Sequence, residues 1–121
     1  MSTDENKAVV QRFITEVLVG GNVDVADEVL ASNYRNRAMG IDRSGFKAFI
    51  ANSPVFSDRR FDIEDLIAEG DAVVARFSFE ITDPNGTKIA ARGLPYYGLA
   101  DGKIVEDDPI TTPDLSSLMA T

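Results

Sequence analysis

Two adjacent carboxylates, Asp107 and Asp108, close the last strand-like run of the chain. A carboxylate aimed into an apolar pocket is penalised in its charged form. Its pKa rises, and it becomes able to move protons on a carbon acid or on the water that opens an epoxide. Neighbouring strand residues face opposite ways, so at most one of the pair points inward. Asp108 is favoured, because Ile104 and Ile110 share its parity. Tyr34, Tyr96 and Tyr97 each join an apolar ring to a hydroxyl, which suits the lining of a pocket for an oxygenated substrate. Tyr96 and Tyr97 must split between the two faces of their strand. Arg76 stands on the polar side of an otherwise apolar strand. There it either stabilises a developing enolate oxygen or pairs with Glu80 or Glu64 on the outer face; Arg92 is a weaker candidate of the same kind. Phe13, Phe46, Ile50, Phe56 and Phe77 are the apolar candidates for substrate contact.

What is missing narrows the chemistry further. The chain has no His and no Cys. That removes the usual general base, the common zinc ligands, cysteine nucleophiles and any Ser-His-Asp triad. Pairs such as Asp62 and Glu64 share a strand face, but without a ligand motif they read as solvated charges and no metal is expected. No glycine-rich phosphate motif is present, and no cofactor is expected. The formal charge is −8. Residues 1–60 hold eight basic and eight acidic side chains, whereas residues 61–121 hold four and twelve, so the second half carries the whole excess. A nucleic-acid partner, which needs a positive footprint, is not expected. No apolar run approaches the ~20 residues of a membrane span. The polar, acidic N-terminus is unlike a signal peptide, and the expected location is the cytoplasm.

These side chains need a scaffold, and Arg59–Ile110 supplies the main part of it. Glu69-Gly70-Asp71, Asp83-Pro84-Asn85-Gly86 and Ala100-Asp101-Gly102 are turn signals. Between them lie runs rich in Val, Ile, Phe and Tyr, predicting four antiparallel strands. They cover Phe61–Ala68, Ala72–Thr82, Thr87–Leu99 and Lys103 to about Asp107. In the second, Val73, Ala75, Phe77, Phe79 and Ile81 alternate with Val74, Arg76, Ser78, Glu80 and Thr82. The third is interrupted by Gly93, Pro95 and Gly98, which predicts a sharply curved sheet.

Three helices precede the sheet. Val9, Val10, Phe13, Ile14, Val17 and Leu18 form the apolar stripe of the first, Lys7–Leu18, and Ser2 with Glu5 has the form of a capping box. Asn22 or Asp24 caps a second helix through Leu30. Residues Asn33–Arg37 read as a polar connection. A third helix begins near Asp42 or Ser44, buries Phe46, Phe49 and Ile50, and stops at Pro54. Thr111–Thr121 reads as a tail with a turn of helix at Asp114–Met119. One domain spanning residues 1–121 is expected.

Several local stretches resemble the SnoaL-like polyketide cyclases of the NTF2-like superfamily. They are Asn6-Lys7-Ala8-Val9-Val10, Gly20-Gly21-Asn22-Val23-Asp24, Ala26-Asp27-Glu28-Val29-Leu30, Asp65 to Phe77, and Leu99 to Glu106. The resemblance covers about residues 5–119. It implies an α+β cone, with three helices packed on a curved four-stranded antiparallel meander and a cavity between them. It also implies cofactor-free acid–base cyclisation or isomerisation of a small apolar oxygenated, polyketide-like molecule. Epoxide hydrolysis or pyran formation is the alternative within the same fold. The family's usual acid falls on Pro109 and its partner on Pro95, so a non-catalytic ligand-binding protein is the alternative from a different class. The alternating sheet has more apolar surface than three short helices cover, so a homodimer through the open sheet face is expected.

Overall fold

The computed structural model describes residues 2–52, 61–82 and 85–112. Its first helix, α1 (Thr3–Arg12), starts where the capping box places it. The Ser2 hydroxyl accepts the Glu5 N–H at 3.1 Å, and the Glu5 carboxylate accepts the Ser2 N–H at 3.1 Å. Two of the N–H groups that a helix start leaves without partners are thereby satisfied. The helix does not run on to Leu18 as an α-helix. It widens into a π-helical segment, Phe13–Val19, whose end is marked by the Gly20 N–H reaching back five residues to the Thr15 carbonyl at 3.1 Å. Such widening is rare and recurs beside functional sites. Here it carries Phe13, Ile14 and Val17 into the core.

Asn22 caps α2 (Val23–Val29), its side-chain oxygen accepting the N–H groups of Asp24 and Val25 at 3.1 and 3.3 Å. The helix ends one residue before the expected Leu30, which is already extended and opens β1 (Leu30–Asn36). The expected polar connection is therefore a strand. A short β2 (Ile41–Asp42) folds back on it, and α3 (Arg43–Asn52) follows. The Asp42 carboxylate accepts the Gly45 N–H at 2.9 Å at the start of α3. Pro54, Asp83, Pro84 and the expected helical turn at Asp114–Met119 lie outside the described residues.

The remaining strands are β3 (Phe61–Glu69), β4 (Ala72–Thr82), β5 (Lys88–Gly93), β6 (Tyr96–Ala100), β7 (Lys103–Asp108) and β8 (Thr111–Thr112). They join β1 and β2 in one eight-stranded sheet of order β2-β1-β7-β6-β4-β5-β8, with β3 along the free side of β4. Two expectations about it are corrected. The long third run is two strands: β5 pairs with Phe77–Thr82 and β6 with Ala72–Val74. Pro95, which has no N–H to give a ladder, sits in the break, and its carbonyl accepts the Ala75 N–H at 3.2 Å. The sheet is also mixed, because β1 runs parallel to β7. The hairpin turns follow their residues: Gly70, Asp101 and Gly102 all adopt positive φ, of 55°, 51° and 77°.

The helices cover one face of this sheet. Val73, Ala75, Phe77, Phe79 and Ile81 of β4 are buried there with Val10, Phe13, Ile14, Val17, Phe46 and Tyr97. Each large apolar side chain so buried contributes about 1.5–3 kcal/mol. Asn6 ties α1 to the β3–β4 turn, its amide donating to the Gly70 carbonyl at 3.3 Å. The result is an α+β cone with a wide outer face left uncovered. Among the described residues no helix is long and apolar enough to cross a membrane.

Candidate active site

Strand β7 is not regular. Gly98 pairs with Glu106 and Leu99 with Ile104, so Val105 is an extra residue opposite no partner. A bulge of this kind shifts the side-chain alternation by one. Ile104 and Asp107, three apart, consequently both face inward and are both buried. The parity that favoured Asp108 is therefore corrected: Asp107 is 3% exposed, Asp108 is half-buried, and Ile110 is exposed.

Strand β1 brings the partner of this carboxylate. Asn36 lies opposite Asp107 in the parallel pair, and the Arg37 N–H donates to the Asp107 carbonyl at 2.8 Å. Tyr34, two residues before Asn36 and on the same face, is fully buried. Its hydroxyl donates to Asp107 Oδ2 at 2.7 Å. The other oxygen, Oδ1, is buried and has no hydrogen-bond partner among the described residues. Burial lifts the Asp107 carboxyl to about 7; the Tyr34 hydrogen bond pulls it down and the charge of Asp108 pushes it up. Burial holds the Tyr34 phenol far above its ordinary value, the charge of Asp107 adds to this, and hydrogen bonding to Asn36 opposes it. The Tyr97 phenol is raised by burial and then by Asp107. Both phenols are thus neutral donors at any ordinary pH.

Asp107 opens onto a cavity of about 50 Å³. The walls are Leu18 from the π-helical segment, Phe46 and Phe49 from α3, Phe61, Phe77 and Phe79 from β3 and β4, and Tyr97 from β6. Asn36, Pro109 and Thr111 complete them. Pro109 has the same parity as Asp107 and stands on the wall, but carries no titratable group. A larger hollow of about 410 Å³ lies on the outer face, over Asp62, Ser78, Glu80, Ala90 and Arg92. It is open to solvent and its described lining holds no buried acid or base, so the smaller cavity is the better candidate for chemistry.

The structure separates the other candidates. Arg76 does not reach the cavity: its side chain is 56% exposed and pairs with Asp65 across β3 at 2.9 Å, rather than with Glu80 or Glu64. Tyr96 and Arg92 also lie on the outer face, exposed. Phe13 is buried behind Phe46 and Tyr97, at ring-centre distances of 5.5 and 5.8 Å, and does not line the cavity. Ile50 is likewise core. Phe56 lies outside the described residues. Phe46, Phe77, Tyr97 and Asp107 are brought together, with Tyr34 directly behind Asp107. No cluster of three or more acidic side chains gathers among the described residues to hold a metal.

Asn36 was not among the sequence candidates. Its side-chain oxygen accepts the Met39 N–H at 3.0 Å, and it is buried at the cavity wall. The available signal was the Tyr34-x-Asn36 spacing, which places both side chains on one face of a strand. It was hidden because the stretch carries too few apolar residues to read as a strand.

The same architecture recurs in solved structures. A protein described as a SnoaL-like polyketide cyclase, from Jannaschia sp. CCS1, is 22% identical; it superposes with a TM-score of 0.78, covering 98% of this chain and 91% of that one. A protein described as a polyketide cyclase from Acidithiobacillus ferrooxidans is 25% identical, with a TM-score of 0.77 and 99% of each chain covered. TerC, solved with polyporic acid, is 18% identical, with a TM-score of 0.77 over 97% of this chain and 99% of that one. No curated protein matches the sequence. The SnoaL-like domain family model matches residues 10–107, the span from the end of α1 to Asp107 itself. The chain belongs to the SnoaL-like domain family.

Proposed function

We propose that this protein is a cofactor-free acid–base enzyme that cyclises or isomerises a small apolar, oxygenated, polyketide-like molecule in the cone. One observation carries this reading. Asp107 lines an apolar cavity, Tyr34 holds its Oδ2, and its Oδ1 is buried without a hydrogen-bond partner among the described residues. A carboxyl near 7 is matched to proton transfer in both directions at neutral pH. Ionised Oδ1 takes a proton from a carbon beside a carbonyl. The Tyr97 phenol, neutral and on the same wall, donates to the enolate oxygen that forms. For isomerisation, Oδ1–H returns the proton to a second carbon. For cyclisation, the enolate carbon bonds to a carbonyl carbon and the resulting alkoxide takes the proton. A relative of this fold solved with polyporic acid is in keeping with an oxygenated aromatic ligand.

A second reading is favoured by the size of the space beside Asp107. About 50 Å³ is room for a water, which needs ≳10–15 Å³. Asp107 would then take a proton from water or a substrate hydroxyl, whose oxygen opens an epoxide or closes a pyran ring. Oxygenated polyketides and epoxides are the substrates to screen. Asp107→Asn should lower turnover of any active compound by about 10²–10⁴-fold, while Asp108→Asn changes it little. Full turnover in Asp107→Asn would remove both readings of Asp107, whereas ligand binding without turnover by the wild type would leave a non-catalytic binding protein.

The same proposal includes a homodimer through the outer sheet face. Ile67, Val74 and Tyr96 lie in register across β3, β4 and β6, and Ile67 and Tyr96 are exposed. Sedimentation at micromolar concentration should give twice the chain mass; a monomer contradicts this part.

A further inference from the structure

One wall of the cavity is built around an absent side chain. Gly93, the last residue of β5, is flanked in register by Phe77 on β4 and Thr111 on β8. Both neighbours line the cavity. A Cβ placed on Gly93 would run into the Phe77 ring, whose Cζ lies 2.7 Å from that position. Gly93 is not among the residues with positive φ, so the requirement is space and not backbone freedom. Two neighbouring rings limit where the Phe77 ring can move. Phe61 packs against it with ring centres 4.7 Å apart, and Phe79 with ring centres 5.6 Å apart. A side chain at position 93 would therefore drive the ring into the cavity it now borders.

The charge of the lining restricts what enters. Aromatic rings dominate the wall, Asp107 supplies its acid, and no Lys or Arg is among the described lining residues. An anionic ligand would meet Asp107 in a low-dielectric space with no counter-charge from the described lining. An apolar cavity of about 150 Å³ takes up a whole benzene ring. The roughly 50 Å³ available accepts the leading edge of a ring and not the whole of it.

We propose that Gly93 is a specificity-determining residue: by letting the Phe77 ring lie against β5, it keeps open beside Asp107 a slot for the edge of an uncharged aromatic or conjugated ring bearing a hydroxyl or carbonyl. This rests on the reading of the cavity as a small-molecule site and not on its catalytic role.

The test is a fluorescence titration of the full chain with 2-naphthol and with 2-naphthoate, which share a ring system and differ in charge, at a pH above the Asp107 value. The wild type should bind 2-naphthol at least ~tenfold more tightly than 2-naphthoate. Gly93→Ala, with its fold checked by circular dichroism, should weaken 2-naphthol at least ~tenfold, and adding Phe77→Leu should bring it back to within ~threefold. Should Gly93→Ala fail to fold, Phe77→Leu alone decides the matter: the bulkier 9-phenanthrol should gain on 2-naphthol by several-fold. The proposal is overturned by wild-type indifference to charge, by no binding of 2-naphthol, by unchanged affinity in Gly93→Ala, by no rescue in the double variant, or by an unchanged 9-phenanthrol ratio. A wild type that shows this Gly93 dependence but turns nothing over keeps the slot and removes the acid–base reading alone.

Discussion

The Tyr34 hydroxyl and the Asp107 carboxylate, 73 residues apart, meet at 2.7 Å in the interior, and the phenol occupies only one of the two carboxylate oxygens. The arrangement holds the carboxyl in one rotamer, keeps its anion from being wholly unsolvated, and leaves the other oxygen without a partner among the described residues. Removing the phenol oxygen with Tyr34→Phe takes away a hydrogen bond to a charged group, worth about 1.5–3 kcal/mol. The Asp107 carboxyl should then titrate higher than its present value of about 7. Carboxylate-resolved NMR of the side-chain carbon reads this directly; a downward shift would show that the phenol does not stabilise the anion.

Global stability should fall as pH rises. Asp107 has a raised value in the folded state, about 7 against 3.8, so the folded chain binds more protons across that window. By linkage its contribution is fully present below the unfolded value of 3.8 and is lost as pH passes through about 7. The difference of roughly three units corresponds to a change on the order of 4 kcal/mol. Urea unfolding at a series of pH values should show this slope in the wild type and a much flatter one in Asp107→Asn. Equal slopes would mean that Asp107 is not desolvated.

If a substrate is found, kcat/KM should rise with pH through a limb near the Asp107 value, since the base must be ionised. In Tyr34→Phe the limb should move to higher pH. A limb that stays in place would assign the base elsewhere.

Arg76→Ala should leave turnover unaffected and stability within about 1 kcal/mol, because its ion pair with Asp65 is half-exposed on the outer face. A large loss of kcat with unchanged folding would return Arg76 to the site.

Deleting Val105 removes the β7 bulge and restores strict alternation. Asp107, then two positions from Ile104, should remain on the inward face and Asp108 on the outward one. The near-neutral titration should persist at Asp107, as read by the same carboxylate NMR. Its disappearance would mean that the bulge itself is needed to place Asp107.

Much of this architecture is written locally. The Ser2–Glu5 box, the Asn22 cap, the alternation of β4 and the positive-φ residues at Gly70 and Asp101-Gly102 each depend on side chains a few residues apart. Composition is equally local, and the absence of His and Cys had already left proton chemistry to carboxylates and phenols. β1 was not legible, because a parallel strand with two apolar inward residues takes its identity from β7, some seventy positions away. Asn36 went unrecognised with it. The choice between Asp107 and Asp108 turned on a bulge that exists only as a mismatch between two strands, and no single strand's sequence contains a register. The free oxygen of Asp107 and the Phe77–Gly93 contact are likewise properties of packed neighbours. The sequence by itself determined which groups were available for chemistry; the tertiary structure decided which one is desolvated, because burial belongs to the assembled core and not to any stretch of chain.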